Sequence, residues 1–223
     1  MSLMPVFSPT AAAGLSVTFV TSVASSTAAS TSLTFSSVSL GVAAADRQIV
    51  VLAGCSMNTA AAITGVTVGG VSGALLVSAG ATSRSANMYI ASVPSGTSGD
   101  IVVSINTGTG EAWGIGVYRV TGTASTTASD TATQNSTSPA PIALTISCPA
   151  GGAIIAGGIT DVSGAGSWAN VTERYDESMN GAQRQSGAMT EFAAAQTDLA
   201  VTYTTSGDSP GAVCYVAASL VKA

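Results

Sequence analysis

Short runs of alternating apolar and polar residues recur along all 223 residues, and Gly, Ser, Asn, Asp or Pro separate them. The runs are rich in Val, Ile, Thr and aromatic residues, and a period of two is typical of half-buried β-strands. Residues 60–63 and 192–195 suggest single helical turns, but neither run sustains the 3.6-residue period of a stable helix. The sequence therefore predicts an all-β protein, an antiparallel β-sandwich of jelly-roll-like type.

The predicted strands fall into two series of similar order. Asp100-Ile-Val-Val-Ser-Ile-Asn aligns without a gap with Asp198-Leu-Ala-Val-Thr-Tyr-Thr, and a strand centred on Tyr118 or Tyr215 follows each. Upstream, Gln48-Ile-Val-Val-Leu-Ala-Gly matches Gly152-Ala-Ile-Ile-Ala-Gly-Gly. We therefore expect two related halves, either two stacked sandwiches or one double-sheet body with pseudo-symmetry. The predicted strands are residues 16–21, 32–39, 48–55, 63–68, 74–78, 87–92, 101–106 and 113–120, then 142–147, 153–159, 171–175, 186–192, 199–204 and 212–220.

Composition divides the chain into four predicted parts. Residues 1–27 are assigned to an N-terminal attachment segment, of which residues 4–13 are apolar but too short for a domain. Residues 28–122 and 141–223 are assigned to the two sandwich domains. Between them, residues 123–140 are mostly Thr, Ser, Ala and Pro, a composition that buries too little apolar surface to form a core. This segment is predicted to be a linker or a crossover.

Only 8% of the residues are charged and there is no histidine, whereas about a quarter of an ordinary globular chain is charged. A nucleophilic Ser or Cys would lack histidine, the base that most commonly takes its proton. A Ser/Lys pair is also disfavoured, because the only lysine is Lys222, next to the last residue. The net charge is −5, and the six basic residues are scattered, so they form no basic stripe that could neutralise the phosphates of a nucleic acid. Apolar runs such as residues 49–53 are far shorter than the ~20 residues that a membrane-spanning helix needs. No catalytic residue, cofactor, metal, nucleic acid or membrane partner is predicted.

Two motifs admit a chemical interpretation and a structural one. Glu173 with Asp176 or Glu177 could serve glycoside hydrolysis, but the intervening Arg174 favours a solvated, mutually screened rim. The Gly-rich residues 108–114 lie between two predicted strands, where a hairpin turn is favoured over a phosphate cradle.

Cys55, Cys148 and Cys214 are too few for a disulfide scaffold, and buried free thiols are the favoured interpretation.

Aromatic residues make up only 5% of the chain, so their positions are informative. Trp168 precedes Tyr175 by seven residues, and with Glu173 the two could form a platform that stacks on a glycan. The alternative, which we favour, places Trp113 and Trp168 in the sandwich cores or at their ends, because a core short of Phe and Leu needs large side chains. Trp168, Glu173 and Tyr175 are the candidate glycan contacts.

Five segments carry a resemblance to a known group of proteins. They are Asp46-Arg47-Gln-Ile-Val-Val-Leu-Ala-Gly, Ile63-Thr-Gly-Val-Thr-Val-Gly-Gly-Val, Val93-Pro-Ser-Gly-Thr-Ser-Gly-Asp-Ile-Val-Val, Trp168-Ala-Asn-Val-Thr-Glu-Arg-Tyr-Asp and Phe192-Ala-Ala-Ala-Gln-Thr-Asp-Leu. In this order they resemble structural proteins of tailed phages and prophages that are common in phages of alphaproteobacteria, over roughly residues 30–220. The resemblance implies a virion component, assembled in the host cytoplasm, and supplies no catalytic residues.

These observations lead to two functional hypotheses. The first is a non-enzymatic virion protein, a capsid decoration protein or head fibre that contacts major capsid or tail proteins and is a homo-oligomer. Short, weakly charged side chains suit that role because they lose little entropy at an interface and do not repel neighbouring copies. The second is a tail-associated or receptor-binding adhesin that recognises a host surface polysaccharide through Trp168, Glu173 and Tyr175.

Overall fold

The computed structural model describes residues 14–123, 125–136, 141–205 and 213–223. These residues form sixteen strands, all paired antiparallel, and no helix. The prediction of an all-β sandwich is confirmed. The first eight strands are β1 (Ser16–Ser25), β2 (Ala29–Ser39), β3 (Gln48–Met57), β4 (Ile63–Val68), β5 (Val71–Ser72), β6 (Ala74–Ala81), β7 (Arg84–Ser92) and β8 (Ser98–Thr121). The remaining eight are β9 (Asp130–Ser136), β10 (Ile142–Cys148), β11 (Gly152–Thr160), β12 (Gly166–Ala169), β13 (Thr172–Ser178), β14 (Arg184–Phe192), β15 (Gln196–Thr205) and β16 (Val213–Leu220).

The 24-residue strand β8 organises the first sandwich, which consists of β1–β8. The first half of β8 pairs with β2 and β4, and its second half pairs with β1 and β3. β8 therefore runs through both layers: an outer sheet of β2, β8, β4 and β5, and an inner sheet of β1, β8, β3, β7 and β6. Between the layers lies a hydrophobic core that includes Val51, Ile101, Val103, Trp113 and Ile115.

The predicted hairpin at residues 108–114 is wrong, because β8 continues through this segment. The backbone bends there between the two layers instead of reversing. Gly108 has a φ of 75°, in the left-handed region that favours glycine. A Cβ atom at Gly110 would lie 2.1 Å from the ring of Trp113. The backbone of β8 can therefore pass this close to the ring only because residue 110 has no side chain.

The second sandwich, β9–β16, repeats the connectivity of the first. Its inner sheet has the order β13-β14-β11-β16-β9, which corresponds strand for strand to β6-β7-β3-β8-β1. Its outer sheet, β10-β15-β12, corresponds to β2-β8-β4. In the second half, β15 and β16 together take the place of the single strand β8. The two predicted series therefore have the same topology in three dimensions.

The two sandwiches pack through their inner sheets, so that the molecule has four layers. A hydrophobic cluster from both halves fills the interface; it includes Val50, Leu52, Ile155, Tyr175 and Val216. β3, β11 and β16 are buried along almost their whole length, as expected for strands that are covered on both faces. These three strands contain no charged residue, because neither of their faces meets water.

The interface between the halves has approximate two-fold symmetry. β3 lies over its own counterpart, β11. β1 lies over β13, and β6 lies over β9. These last two contacts are equivalent, because β9 is the counterpart of β1 and β13 is the counterpart of β6. Such an arrangement is the isologous contact of a symmetric dimer, here formed within one chain. At its margins, Glu191 accepts a hydrogen bond from the Val17 amide, and Glu177 accepts one from the Ser22 hydroxyl.

The structure changes two of the predicted domain boundaries. Residues 16–25 of the predicted N-terminal segment form β1, which pairs with the second half of β8 and belongs to the first sandwich. Residues 130–136 of the predicted linker form β9, the edge strand beside β16. The linker composition misleads because β9 needs few large apolar residues when a neighbouring strand supplies its hydrogen bonds. Residues 4–13, predicted to attach the protein to a partner, lie outside the described residues.

Candidate functional site

Trp168 lies inside the second sandwich. It is half-buried on β12, and its ring centroid is 5.0 Å from that of Tyr203 and 5.7 Å from that of Tyr215. Its indole Nε1 donates a hydrogen bond of 2.5 Å to the Ser186 hydroxyl. These contacts orient the ring inward, as the core interpretation of the sequence predicts. The second tryptophan, Trp113, is fully buried in the first sandwich.

Tyr175 is on β13, a strand of the inner sheet of the second sandwich, and it lies on the face of that sheet that packs against the first sandwich. It is 7% exposed in the interface cluster, and its ring stacks on Phe19 of β1 at 5.5 Å between centroids. Burial raises the pKa of its hydroxyl well above the usual range. Trp168 and Tyr175 therefore face different interiors, and the structure does not bring them together as one stacking platform.

Glu173 is the exposed member of the predicted set, at a bulge of β13. Partial burial raises the pKa of its carboxyl and Asp176 raises it further, against a hydrogen bond from the Trp168 backbone and the charge of Arg184. Both of its predicted carboxylate partners are engaged elsewhere. Asp176 pairs with Arg184 at 2.8 Å and accepts the Gly166 amide, and Glu177 binds Ser22. These contacts favour the rim interpretation over a catalytic pair.

An open cavity of about 410 Å³ lies where β1 of the first sandwich meets β13 and β14 of the second. We call it the seam cavity. Val17, Thr18, Phe19, Glu173, Arg174 and Met189 line it. The Arg174 guanidinium lies 2.9 Å from the Met189 sulfur, a weak acceptor. The cavity thus combines an aromatic ring with one acidic and one basic side chain.

A second open cavity of about 360 Å³, the Val42 cavity, shares Thr18 and Phe19 with the first. Its other lining residues are Val20, Gly41, Val42 and Arg119. Val42 is 74% exposed, and its carbonyl accepts a 2.7 Å hydrogen bond from the Arg119 Nε. This bond holds the loop after β2 against β8. The two cavities together form a continuous surface along β1, which we call the β1 groove.

Sequence reasoning did not identify the β1 groove. Phe19 and Val42 belong to no motif, and they come together only because β1 is at the edge of a sheet. One signal was present in the sequence: the first 45 residues contain no charged side chain, and Asp46 is the first. A stretch of that length without charge is unusual on a protein surface and marks this part of the chain as one to inspect for a contact surface.

Charge is divided unequally between the two sandwiches. Residues 1–123 carry three acidic and three basic side chains, whereas residues 124–223 carry eight acidic and three basic ones. The whole net charge of −5 therefore belongs to the second part. Among the described residues, the exposed large hydrophobic side chains are Val42, Val71 and Leu75, and all three lie in the first sandwich. The first sandwich is neutral and partly apolar outside, and the second is acidic.

The thiols show no feature of a reactive or metal-binding site. Cys55, Cys148 and Cys214 are buried and free, and burial raises the pKa of each. Within the described ranges, no three His, Cys, Asp or Glu side chains lie close enough together to bind a metal ion. None of the described residues belongs to a helix that is long and apolar enough to cross a membrane.

The sequence matches no protein-family model, and comparisons with curated proteins and with solved structures find no match.

Proposed function

We propose that this chain is a non-enzymatic structural protein of a phage virion, a capsid decoration protein or head fibre whose first sandwich contacts other virion proteins. The division of charge carries the proposal. The first part of the chain has six charged side chains and no net charge, whereas the second has eleven. A surface of the first sandwich with exposed Val71 and Leu75 can therefore be buried against another protein with fewer charges to desolvate, which is costly. The acidic second sandwich is then the part that remains in water. The sequence resemblance to tailed-phage structural proteins supports the viral setting.

The four-layer architecture supports a role in assembly over one in chemistry. Its two inner sheets are covered on both faces, and its conspicuous aromatic residues serve the interiors. A protein present in many neighbouring copies benefits from low charge, since like charges at close spacing repel. Short Ser, Thr and Ala side chains also lose little conformational entropy when an interface forms.

The test is occupancy on purified particles. Leu75→Asp and Val71→Asp each place a charge on the surface of the first sandwich that we assign to virion contacts, and each should lower the number of copies per particle several-fold. Thr145→Asp, at an exposed position of β10 on the second sandwich, is the matched control and should leave occupancy unchanged. Equal occupancy for all three variants, or particles that an antibody against this chain does not label, would refute the proposal.

A second candidate function is a tail-associated or receptor-binding adhesin that recognises a host surface polysaccharide. The seam cavity is the observation that favours it, because Phe19 offers a ring face while Glu173 and Arg174 offer hydrogen-bonding groups. A glycan array with the wild-type protein and Arg174→Ala tests this function. Binding that is lost in Arg174→Ala but kept in Trp168→Ala, whose ring lies inside the second sandwich, would support it. Absence of binding to any surface glycan would exclude it.

A further inference from the structure

Arg174 is the bulged residue of β13. The pairing of β13 with β14 shifts its register between Glu173 and Tyr175, so that Arg174 lies opposite no residue of β14. A β-bulge takes a side chain out of the alternation of its strand and re-aims it. Arg174 accordingly lines the seam cavity, together with Phe19 and its neighbours on β1.

The Arg174 guanidinium has no oxygen acceptor among the described residues. Its hydrogen bond goes to the sulfur of Met189, a weak acceptor. The other four arginines all donate to oxygen atoms, Arg47 and Arg119 to backbone carbonyls and Arg84 and Arg184 to carboxylates. Because a guanidinium has five N–H donors, most of those of Arg174 remain available to a ligand in the seam cavity.

The acidic side chains around the seam cavity are bound by other donors. Their partners are the Trp168 backbone for Glu173, Arg184 for Asp176, the Ser22 hydroxyl for Glu177 and the Val17 amide for Glu191. Among the described residues, Arg174 forms no ion pair, and β1, the other wall of the cavity, has no charged residue. The charge of Arg174 is therefore not neutralised by a contact within the described part of the chain.

Phe19 gives the seam cavity a fixed apolar surface. Its ring stacks on Tyr175 at 5.5 Å between centroids and meets Tyr118 edge-on at 5.6 Å. Both tyrosines are buried, so they support the half-buried Phe19, whose remaining surface faces the cavity. An aromatic surface of this kind packs on the apolar face of a sugar ring.

The seam cavity adjoins a further open space of about 350 Å³, which we call the seam extension. The two spaces share Val17, Arg174 and Met189, and the extension is also lined by Ser16, Thr172, Thr190 and Glu191. Each volume is within the range of about 300–1,000 Å³ that is typical of ligand pockets. Hydroxyl side chains thus lie beside the guanidinium, and they suit the neutral hydroxyl groups of a carbohydrate.

We propose that the seam cavity binds a glycan that carries carboxylate groups, such as a polyuronate, and that the Arg174 guanidinium binds one of these carboxylates through two parallel hydrogen bonds. A planar guanidinium matches a carboxylate in charge and in shape. A phosphate, with up to two negative charges, fits less well, because it would meet a single cation beside several acidic side chains. This assignment rests on the second candidate function, the adhesin, and specifies the class of its ligand.

The experiment measures, by isothermal titration calorimetry, the binding of polygalacturonate and of hyaluronate to the full-length chain. Each polymer is compared with the same polymer after reduction of its carboxyl groups to alcohols. We expect the wild type to bind the carboxylated polymers about tenfold or more tightly than the reduced ones. Arg174→Met should abolish this preference, and Arg174→Lys, which keeps the charge without the planar fork, should retain only part of it. Lys222→Met, which removes the same charge at an exposed position, is the matched control and should keep the preference.

Both Arg174 variants should fold, because the side chain is exposed and makes a weak contact, and circular dichroism checks this. Equal binding of carboxylated and reduced polymers, lost in Arg174→Met, would overturn the assignment of an acidic ligand while the adhesin function stands. Binding to neither form, or binding of the carboxylated polymers that Arg174→Met leaves intact, would also overturn it, and the glycan array decides separately whether the adhesin function fails.

Poly-L-glutamate is the probe that separates a glycan from an acidic polypeptide, because it carries carboxylates without sugar rings. We expect it to bind at least several-fold more weakly than polygalacturonate, since it has no ring to pack on Phe19. If poly-L-glutamate binds as tightly, the cavity recognises carboxylates of a polypeptide and the assignment to a glycan is wrong.

Discussion

Arg84 of the first sandwich and Asp161 of the second form an ion pair across the interface, with the guanidinium Nε 2.6 Å from the carboxylate Oδ1. Both side chains are largely shielded from water, at 11% and 20% exposure. Arg84 begins β7, and Asp161 directly follows β11. The pair therefore joins the two halves where the strand ends approach each other.

We expect Arg84→Met to lower the free energy of unfolding by about 1–3 kcal/mol, because Asp161 keeps its charge in a partly buried place. Urea denaturation measures the loss. Glu111→Gln, at an exposed position of β8, is the control and should cost less than about 0.5 kcal/mol. Adding Asp161→Asn to Arg84→Met should recover part of the loss; a further additive loss would show that the pair does not couple the halves.

Gly157 permits the close contact at the centre of the interface. A Cβ atom there would lie 2.2 Å from Leu52 Cδ2 and 2.5 Å from the Ser186 carbonyl, and the backbone atom cannot move aside easily. Gly157→Ala should destabilise the protein by about 1–3 kcal/mol through overpacking. Gly65→Ala, with no atom within 4 Å of the new carbon, is the control. Equal stability of the two variants would contradict the close contact.

Arg47 is fully buried, and no acidic side chain among the described residues forms an ion pair with it. Its guanidinium donates five hydrogen bonds to the carbonyl oxygens of Leu40, Gly41, Val93, Ser95 and Gly96. Lysine offers three donors from one point and cannot reproduce the planar fork. Arg47→Lys should therefore cost about 3 kcal/mol or more and speed amide hydrogen exchange in the loop after β7. Unchanged exchange there would contradict the role of Arg47 in holding this loop.

The buried thiols should be unreactive in the folded protein. Burial raises the pKa of Cys55 and of Cys214 to about 12, so almost no thiolate, the reactive form, is present at pH 8. A thiol reagent such as DTNB should modify neither residue under native conditions and all three cysteines in urea. Rapid native modification mapped to Cys55 or Cys214 would show that the strands around them open.

The same shifts predict a loss of stability in alkali. The folded pKa of these thiols is raised from 9.0 to about 12, so their contribution is fully present below pH 9. It is lost as the pH rises from 9 towards 12, by about 1.4 kcal/mol per pH unit for each thiol. Replacing both cysteines by Ala should flatten this slope in pH-dependent urea titrations. A residual slope should persist, because burial raises the pKa of Tyr203 to about 12 as well. An unchanged slope in the double variant would contradict this account.

The positions of the strands could be predicted from the sequence because alternation is a local property. Every predicted run overlaps a strand of the structure. The turn at Val68-Gly69-Gly70-Val71 was also predictable, because two consecutive glycines with φ of 57° and 81° suit a two-residue hairpin. The bend within β8 at residues 108–114 was not predictable, because a glycine can serve a bend as well as the reversal of a hairpin.

The sequence did not allow us to predict which face of the sheet each side chain of the matched strands occupies. Tyr118 and Tyr215 occupy similar places in the two series, yet Tyr118 lies in the interface cluster and Tyr215 inside the second sandwich. A shift of one residue turns a side chain to the other face of a sheet, and a weak alignment does not resolve such a shift. For the same reason, the sequence could not show that Trp168 and Tyr175 face different interiors.

The sequence by itself determined the all-β class, most of the strands, the repeated order of the two halves and the unequal division of charge, since each depends on neighbours along the chain or on composition. Only the tertiary structure decided that the sandwiches stack through their inner sheets, and that Phe19, Val42 and Arg174 lie along one edge strand. These are contacts between segments far apart in the chain, and they arise because each inner sheet has a second apolar face that it buries against the other.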